Sequence, residues 1–285
     1  MKVIHIDNLE SQDLLPYLTL RRPEQHWKQG IFIAEGEKVV LRLLKSQLKI
    51  ISLLITPEWH KILFSVTGSR SKSSDTRTYR DLDEVKIFIA DKTLMERIVG
   101  FQLHQGIMAL AYVPEEPVLD DVLKKLKADS IIVALDGLVN AENVGVIIRN
   151  SAAFGADLIL TGETSSSPYL RRAVRNSMGA VFQIPILHTA DLRGTLQTMR
   201  DKYGIRIIAT YLHEDNSLFT KDLPGTICIV FGNENKGISD KILEACDEKI
   251  AVPMMKQTDS LNVASASAVF LYEARKQRTL SKSGR

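Results

Sequence analysis

Between residues 130 and 253, short apolar runs rich in β-branched residues recur with helical stretches between them. The runs are SIIVALD (130–136), DLILT (157–161), VFQIPI (181–186), IRIIAT (205–210), TICIVF (226–231) and EKIAVP (248–253). Runs that are apolar at successive rather than alternate positions suit strands buried on both faces, as in a parallel sheet covered by helices on each side. The alternation therefore predicts a doubly wound α/β domain. Open sheets of this kind take their ligands beyond the carboxyl ends of the strands, so the residues that follow each run are the first candidates for chemistry.

Ahead of this pattern, residues 1–113 form a separate compositional unit. IFIAEG (31–36) reads as a strand that runs into an amphipathic helix over 37–44, ISLLIT (51–56) and VKIFIA (85–90) read as further strands, and 106–112 as a closing strand. SVTGSRSKSS (65–74) has the polar, Gly/Ser-rich character of a loop. VPEEPVLDD (113–121) is Pro- and acid-rich. The division expected is a small α/β domain at 1–113, a linker and lead-in at 114–129, and the parallel-sheet domain at 130–285. A chain of 285 residues with 45% apolar content can build both cores.

Several function classes fall away. No apolar run approaches the ~20 residues needed to span a bilayer, and MKVIHIDNLESQD carries acid too early for a signal peptide. Cys228 and Cys246 lack ligand or redox spacing; they read as reduced core residues of a cytosolic protein, with a disulfide as the alternative. The six histidines are scattered, no cluster has metal spacing, and G-x-S-x-G, Walker A and G-x-G-x-x-G patterns are missing. The net charge of +3 demands no nucleic-acid partner by itself. Local basic clusters matter more: Arg21-Arg22, Arg70 to Arg80 with Lys72 and Arg77, Arg171-Arg172-x-x-Arg175, and Arg275-Lys276-x-Arg278. Each reads as a solvated face or as a set of phosphate contacts.

Three segments carry the candidate chemistry. In Asn143-x-Gly145-x-x-x-Arg149, Asn143 can cap a helix beginning at Val144. Val144, Ile147, Ile148, Ser151 and Ala152 form its apolar stripe. Arg149 lies off that stripe, over the position that Gly145 leaves bare. It reads as a surface arginine or as a guanidinium set for a phosphate or developing oxyanion. Gly232-Asn233-Glu234-Asn235-Lys236-Gly237 follows the run TICIVF and offers a tight turn with a carboxylate at the mouth of the sheet. Val252-Pro253-Met254 precedes Ser260-Leu261-Asn262-Val263, where Ser260 or Asp259 can cap a helix and the small residues 264–268 let another backbone approach.

With these three segments in this order, the chain resembles the SpoU/TrmH family of RNA ribose 2′-O-methyltransferases over about 130–279. N-x-G-x-x-x-R is met by Asn143, Gly145 and Arg149; G-x-E-x-x-G by Gly232, Glu234 and Gly237; and the Pro-Met and Ser-Leu-Asn-Val segments by 252–254 and 260–263. The N-terminal unit resembles the family's ribosomal-protein-like substrate-binding domain at Phe32-Ile-Ala-Glu35-Gly36 and His104-Gln105-Gly106-Ile107. Lys256 departs from the pattern, since the family usually has glycine there.

The resemblance implies a C-terminal trefoil knot of the SPOUT type and a homodimer with its site at the subunit interface. It implies S-adenosylmethionine held by Gly232, Val252, Leu261, Thr210 and Asn262, and no metal. Arg149, Asn143, Glu234, Ser260 and Asn262 become the catalytic set, and Arg21, Arg22, Arg171 and Arg172 the RNA contacts. Family proposals make the arginine the base that activates the hydroxyl. A guanidinium is almost never deprotonated in a protein, so stabilising the alkoxide or gripping the adjacent phosphate is physically easier. A separate N-terminal module favours large-subunit ribosomal RNA over transfer RNA, in the cytoplasm. The rival reading is a non-catalytic RNA-binding or ribosome-assembly factor that kept the fold.

Overall fold

The computed structural model of the chain describes residues 2–8, 10–68, 82, 84–100, 105–212, 216–255 and 260–283. In chain order the elements are β1 (Lys2–His5), α1 (Leu15–Leu18), α2 (Pro23–Lys28), β2 (Ile31–Glu35), α3 (Glu37–Leu44), β3 (Ile50–Ile55), α4 (Pro57–Gly68), β4 (Lys86–Ile89), α5 (Lys92–Val99) and β5 (Ile107–Tyr112). Then come α6 (Leu119–Leu123), β6 (Ile131–Leu135), α7 (Ala141–Ala153), β7 (Leu158–Thr161), α8 (Arg171–Asn176), β8 (Ile186–His188), α9 (Leu192–Tyr203), β9 (Arg206–Tyr211), β10 (Ile227–Phe231), α10 (Asp240–Leu243), β11 (Glu248–Ala251) and α11 (Val263–Ser283). They form two compact units: Met1–Pro114 with Tyr169–Phe182, and Glu115–Pro168 with Gln183–Arg285.

The first unit has a mixed sheet in the order β1-β4-β3-β5-β2. β1, β4 and β3 run parallel, while β5 is antiparallel to both β3 and β2. β1 is an edge strand that the sequence pattern did not announce, because Lys2–His5 is mostly exposed and holds only two apolar residues. Leu14 and Tyr17 are fully buried, and the Tyr17 hydroxyl lies 3.0 Å from Ser52 Oγ. Tyr169–Phe182, expected within the second domain, packs in this first unit. Phe32 lies between Tyr169 (5.4 Å between centroids) and Phe182 (5.7 Å), and Arg171 donates to Glu35 at 2.5 Å.

The second unit is built on a wholly parallel sheet in the order β11-β9-β10-β6-β7-β8. One face buries Ile132, Ala134, Leu158, Leu160, Ile207, Ala209, Cys228 and Val230 against Leu192, Leu196 and Met199 of α9 and Ile242 of α10. The alternate residues face the other way, where Phe231 meets Phe270 of α11 edge-on at 6.1 Å. Both faces are covered, as the continuous apolar runs require. Residues 114–129, expected as linker and lead-in, contribute α6, and its Leu123 joins this core. The run at 181–186 is a correction. Ala180–Phe182 is a 3₁₀ turn, and the strand starts only at Ile186. Proline cannot donate to a ladder, so pairing begins just after Pro185, whose carbonyl accepts from Ile159 N.

Arg278 is also corrected. It sits in a cluster that could have faced phosphates, yet it is 6% exposed. Its guanidinium donates to the carbonyls of Asp129 (2.7 Å), Ala274 (2.8 Å) and Gly225 (2.8 Å). Asp129 and Gly225 precede β6 and β10, so one side chain ties the last helix to two central strands. Arg278→Met should lower stability by about 2–3 kcal/mol, because it leaves carbonyls buried without donors. Urea unfolding should show a lower midpoint at unchanged slope. Arg278→Lys should recover little, since an ammonium cannot reproduce the planar fork.

Candidate active site

Strand order reverses between β6 and β10: the chain runs outward from β6 through β7 and β8, while β10, β9 and β11 lie on the other side. The carboxyl ends of these two neighbouring strands feed the loops at 136–140 and 232–239. This is the switch-point crevice at which open α/β sheets bind ligands.

The two loops are bonded to each other. Asp136 Oδ2 accepts from Ser239 N at 2.7 Å, and Asn233 Nδ2 donates to Gly137 O at 2.7 Å. Within the second loop, Asn233 and Gly237 exchange backbone bonds of 2.9 Å, and Asn233 Oδ1 accepts from the amides of Asn235 and Lys236. The loop closes so tightly that a Cβ on Gly232 would stand 2.3 Å from Ile238 N. Only glycine fits there.

A chain of side-chain amides links the three candidate segments. Asn143 Nδ2 donates to Glu234 Oε1 at 2.8 Å, and Asn262 Nδ2 donates to Asn143 Oδ1 at 3.3 Å. Asn262 Oδ1 then accepts from Ala264 N at 2.8 Å. Two capping expectations are corrected here. The first helix starts at Ala141 and is capped by Asn140, whose side chain accepts from Glu142 N at 2.9 Å. Asn143 is inside the helix and buried, its amide engaged by Glu234 instead. The last helix starts after Asn262, which is the residue that caps it; Ser260 lies outside it, and Asp259 is not among the described residues.

Thr210, Gly232, Glu234, Val252, Ser260, Leu261 and Asn262 line one cleft, and Asn143 joins it through Glu234. Its walls also include Ile238, Met254, Ala266 and Phe270. Of these, Phe270 carried a faint signal in the sequence, an apolar residue two helical turns beyond Val263. Asp136, which holds the loop, was missed, and Asn233 was read only as part of the turn. A carboxylate directly after a buried run was the available sign. Arg149 is exposed on α7, outside the lining of the cleft, and its side chain has no hydrogen bond or ion pair among the described residues. Arg21, Arg22, Arg171 and Arg172 belong to the first unit. Arg21 donates to Gly100 O at 2.9 Å and Arg171 is held by Glu35, while Arg22 and Arg172 are exposed. Arg70 to Arg80, His104 and Lys256 lie outside the described residues.

Both cysteines are free. Burial pushes the Cys246 thiol up to about 12 and the Cys228 thiol well above its ordinary range. Neither supplies a thiolate at neutral pH, and the polar groups of the cleft are amides, hydroxyls and one carboxylate. Among the described residues no helix is long and apolar enough to cross a membrane.

Residues 130–272 match the model of the SpoU rRNA Methylase family. An uncharacterised tRNA/rRNA methyltransferase of Mycobacterium bovis is 30% identical over 259 residues, covering 89% of this chain and 83% of its own. The SpoU methyltransferase AviRb from Streptomyces viridochromogenes, solved with AdoMet, has a TM-score of 0.77 at 21% identity, over 94% of this chain and 99% of that one. A solved RNA 2′-O ribose methyltransferase has a TM-score of 0.76 at 22% identity, over 97% and 100%. By the extent of the family match and by its mycobacterial relative, this chain belongs to the SpoU rRNA Methylase family.

Proposed function

We propose that this SpoU-type RNA methyltransferase methylates a ribose 2′-hydroxyl, with S-adenosylmethionine as donor and large-subunit ribosomal RNA as substrate. The observation that carries the proposal is the joining of three distant segments, at Asn143, Glu234 and Asn262, beside one cleft at the switch point. The cleft suits the donor: Ile238, Ala266 and Phe270 offer apolar walls, the chain at Val252 and Leu261 offers backbone groups, and a few polar side chains converge. When bound, S-adenosylmethionine would supply a sulfonium methyl open to in-line displacement, its methyl–sulfur bond breaking with the electron pair kept on sulfur as a neutral thioether.

The protein then has to position and polarise. The ribose oxygen gains the methyl as its O–H bond is lost, and the proton passes to water. Arg149 stays protonated. We assign it to the developing alkoxide or the adjacent phosphate, a role that suits an exposed guanidinium with no partner among the described residues. Glu234, Asn143 and Asn262 orient one another, and Ser260 contributes a hydroxyl at the rim. The trefoil knot and homodimer belong to the same reading; exposed Val269 and Tyr272 on α11 support pairing of two copies. A cytoplasmic location and an RNA-binding role for the first unit belong to this reading too, with Arg21, Arg22 and Arg172 facing phosphate and Arg171 able to do so only by leaving Glu35.

Purified protein incubated with labelled cofactor and total RNA from a strain lacking the gene should put label on ribose 2′-oxygens of ribosomal RNA. Folded, cofactor-binding protein that labels no RNA would overturn the proposal, and label confined to transfer RNA would overturn the choice of substrate. Arg149→Ala should cut turnover about 10²–10³-fold while melting temperature and cofactor affinity stay near wild type. Near-normal turnover would remove Arg149 from the site. Asn143→Asp sets a carboxylate against Glu234, and like charges that close disfavour one another. At pH 7 it should weaken cofactor binding more than Asn143→Ala does. Calorimetry of cofactor binding to the two variants at pH 7 reads the difference.

A further inference from the structure

The first unit has a cleft of its own, about 320 Å³, between the 12–19 segment and one end of the sheet. That is at the small end of the ~300–1,000 Å³ of ligand clefts. Its floor is apolar, from Ile31, Phe88 and Leu110. At one side stands Tyr112, paired across the sheet with Ile31 and 43% exposed. Lys49 places its ammonium 5.5 Å from the Tyr112 ring centroid. At another side Lys86 donates to both carboxylate oxygens of Asp13, at 2.8 and 3.0 Å. Both members of this pair are more than 40% exposed. A pair so exposed contributes little stability and is open to exchange with a ligand.

We infer that this cleft receives one unstacked nucleobase of single-stranded RNA, with the attached phosphate at Lys49. The inference rests on the RNA-methylating reading and adds a recognition point within the first unit. A free phosphate would have no use for the apolar floor, and a purely apolar ligand none for the ion pair. A base matches both. Its face stacks on an exposed aromatic, and its edge carries donors and acceptors side by side, as Lys86 and Asp13 do. The lysine beside the ring matches the charge of the chain that carries the base.

The test is fluorescence anisotropy of full-length protein with labelled single-stranded RNA hexamers (rA, rU and rC) and with a blunt RNA duplex, at several salt concentrations. Tyr112→Ala should weaken hexamer binding about 5- to 100-fold and leave duplex affinity, the salt slope and the melting temperature unchanged. Tyr112→Phe should bind as wild type, which separates a stacking loss from a folding loss. Lys49→Met should reduce the salt slope by about one phosphate. Hexamer binding by Tyr112→Ala equal to wild type, or an equal loss on duplex and single strand, overturns the pocket. No hexamer binding by the wild type overturns it too. Methyl incorporation into total RNA, measured alongside, shows whether the proposed function falls with it or stands without the pocket.

Discussion

An ionised carboxylate only accepts hydrogen bonds, and Glu234 thereby sets the direction of every bond in the chain that organises the cleft. Its partner at 2.8 Å must be the Asn143 amide nitrogen, which turns the Asn143 oxygen towards Asn262. Asn262 must then present nitrogen to Asn143 and oxygen to Ala264 N, which starts the last helix. No member can flip without setting acceptor against acceptor. Loop, helix and C-terminal segment are thus oriented by one negative charge. The last helix is also held elsewhere: Asn150 donates to Ala264 O and Ser267 Oγ near its start, and Arg278 grips three carbonyls near its end. A residue on the rim of the cleft is therefore anchored through the core of the unit.

Much of this was legible in the sequence because it is local. Apolar runs with helical spacers specify a parallel sheet covered on both faces, and five of the six runs at 130–253 hold strands where expected. The sixth carries its own local counter-signal, since Pro185 inside the run argues against pairing through it. The three motif segments stand at strand ends, as the alternation required. What was not legible depends on partners far along the chain. Asn140 and Asn143 are equally good caps by composition. Asn140 takes the cap, while the side chain of Asn143, inside the helix, is turned to Glu234, 91 residues away. Arg278 looked like its basic neighbours until the carbonyls of Asp129 and Gly225 were seen to fill its donors. β1 carries too little apolar surface to announce an edge strand.

The arginines expected to meet RNA divide on the same principle. Arg171 and Arg172 are adjacent in sequence and alike in charge, yet on α8 they face different surroundings. Glu35 is held by burial of its neighbourhood to 12% side-chain exposure, and Arg171, at 23%, answers it directly. A carboxylate this far out of water needs a partner, because removing the cation leaves an uncompensated charge. Arg175 reaches the same carboxylate only at 3.9 Å and remains 59% exposed, so it cannot substitute fully. Arg171 is therefore engaged within the fold of the first unit, alongside the Phe32–Tyr169 contact. A phosphate that drew Arg171 away would have to replace its bond to Glu35 as well as attract it. Arg172, exposed and without that obligation, can meet a phosphate at no such cost. Two neighbouring arginines in one basic run thus offer RNA unequal prospects, and the difference lies in a glutamate more than a hundred residues earlier in the chain.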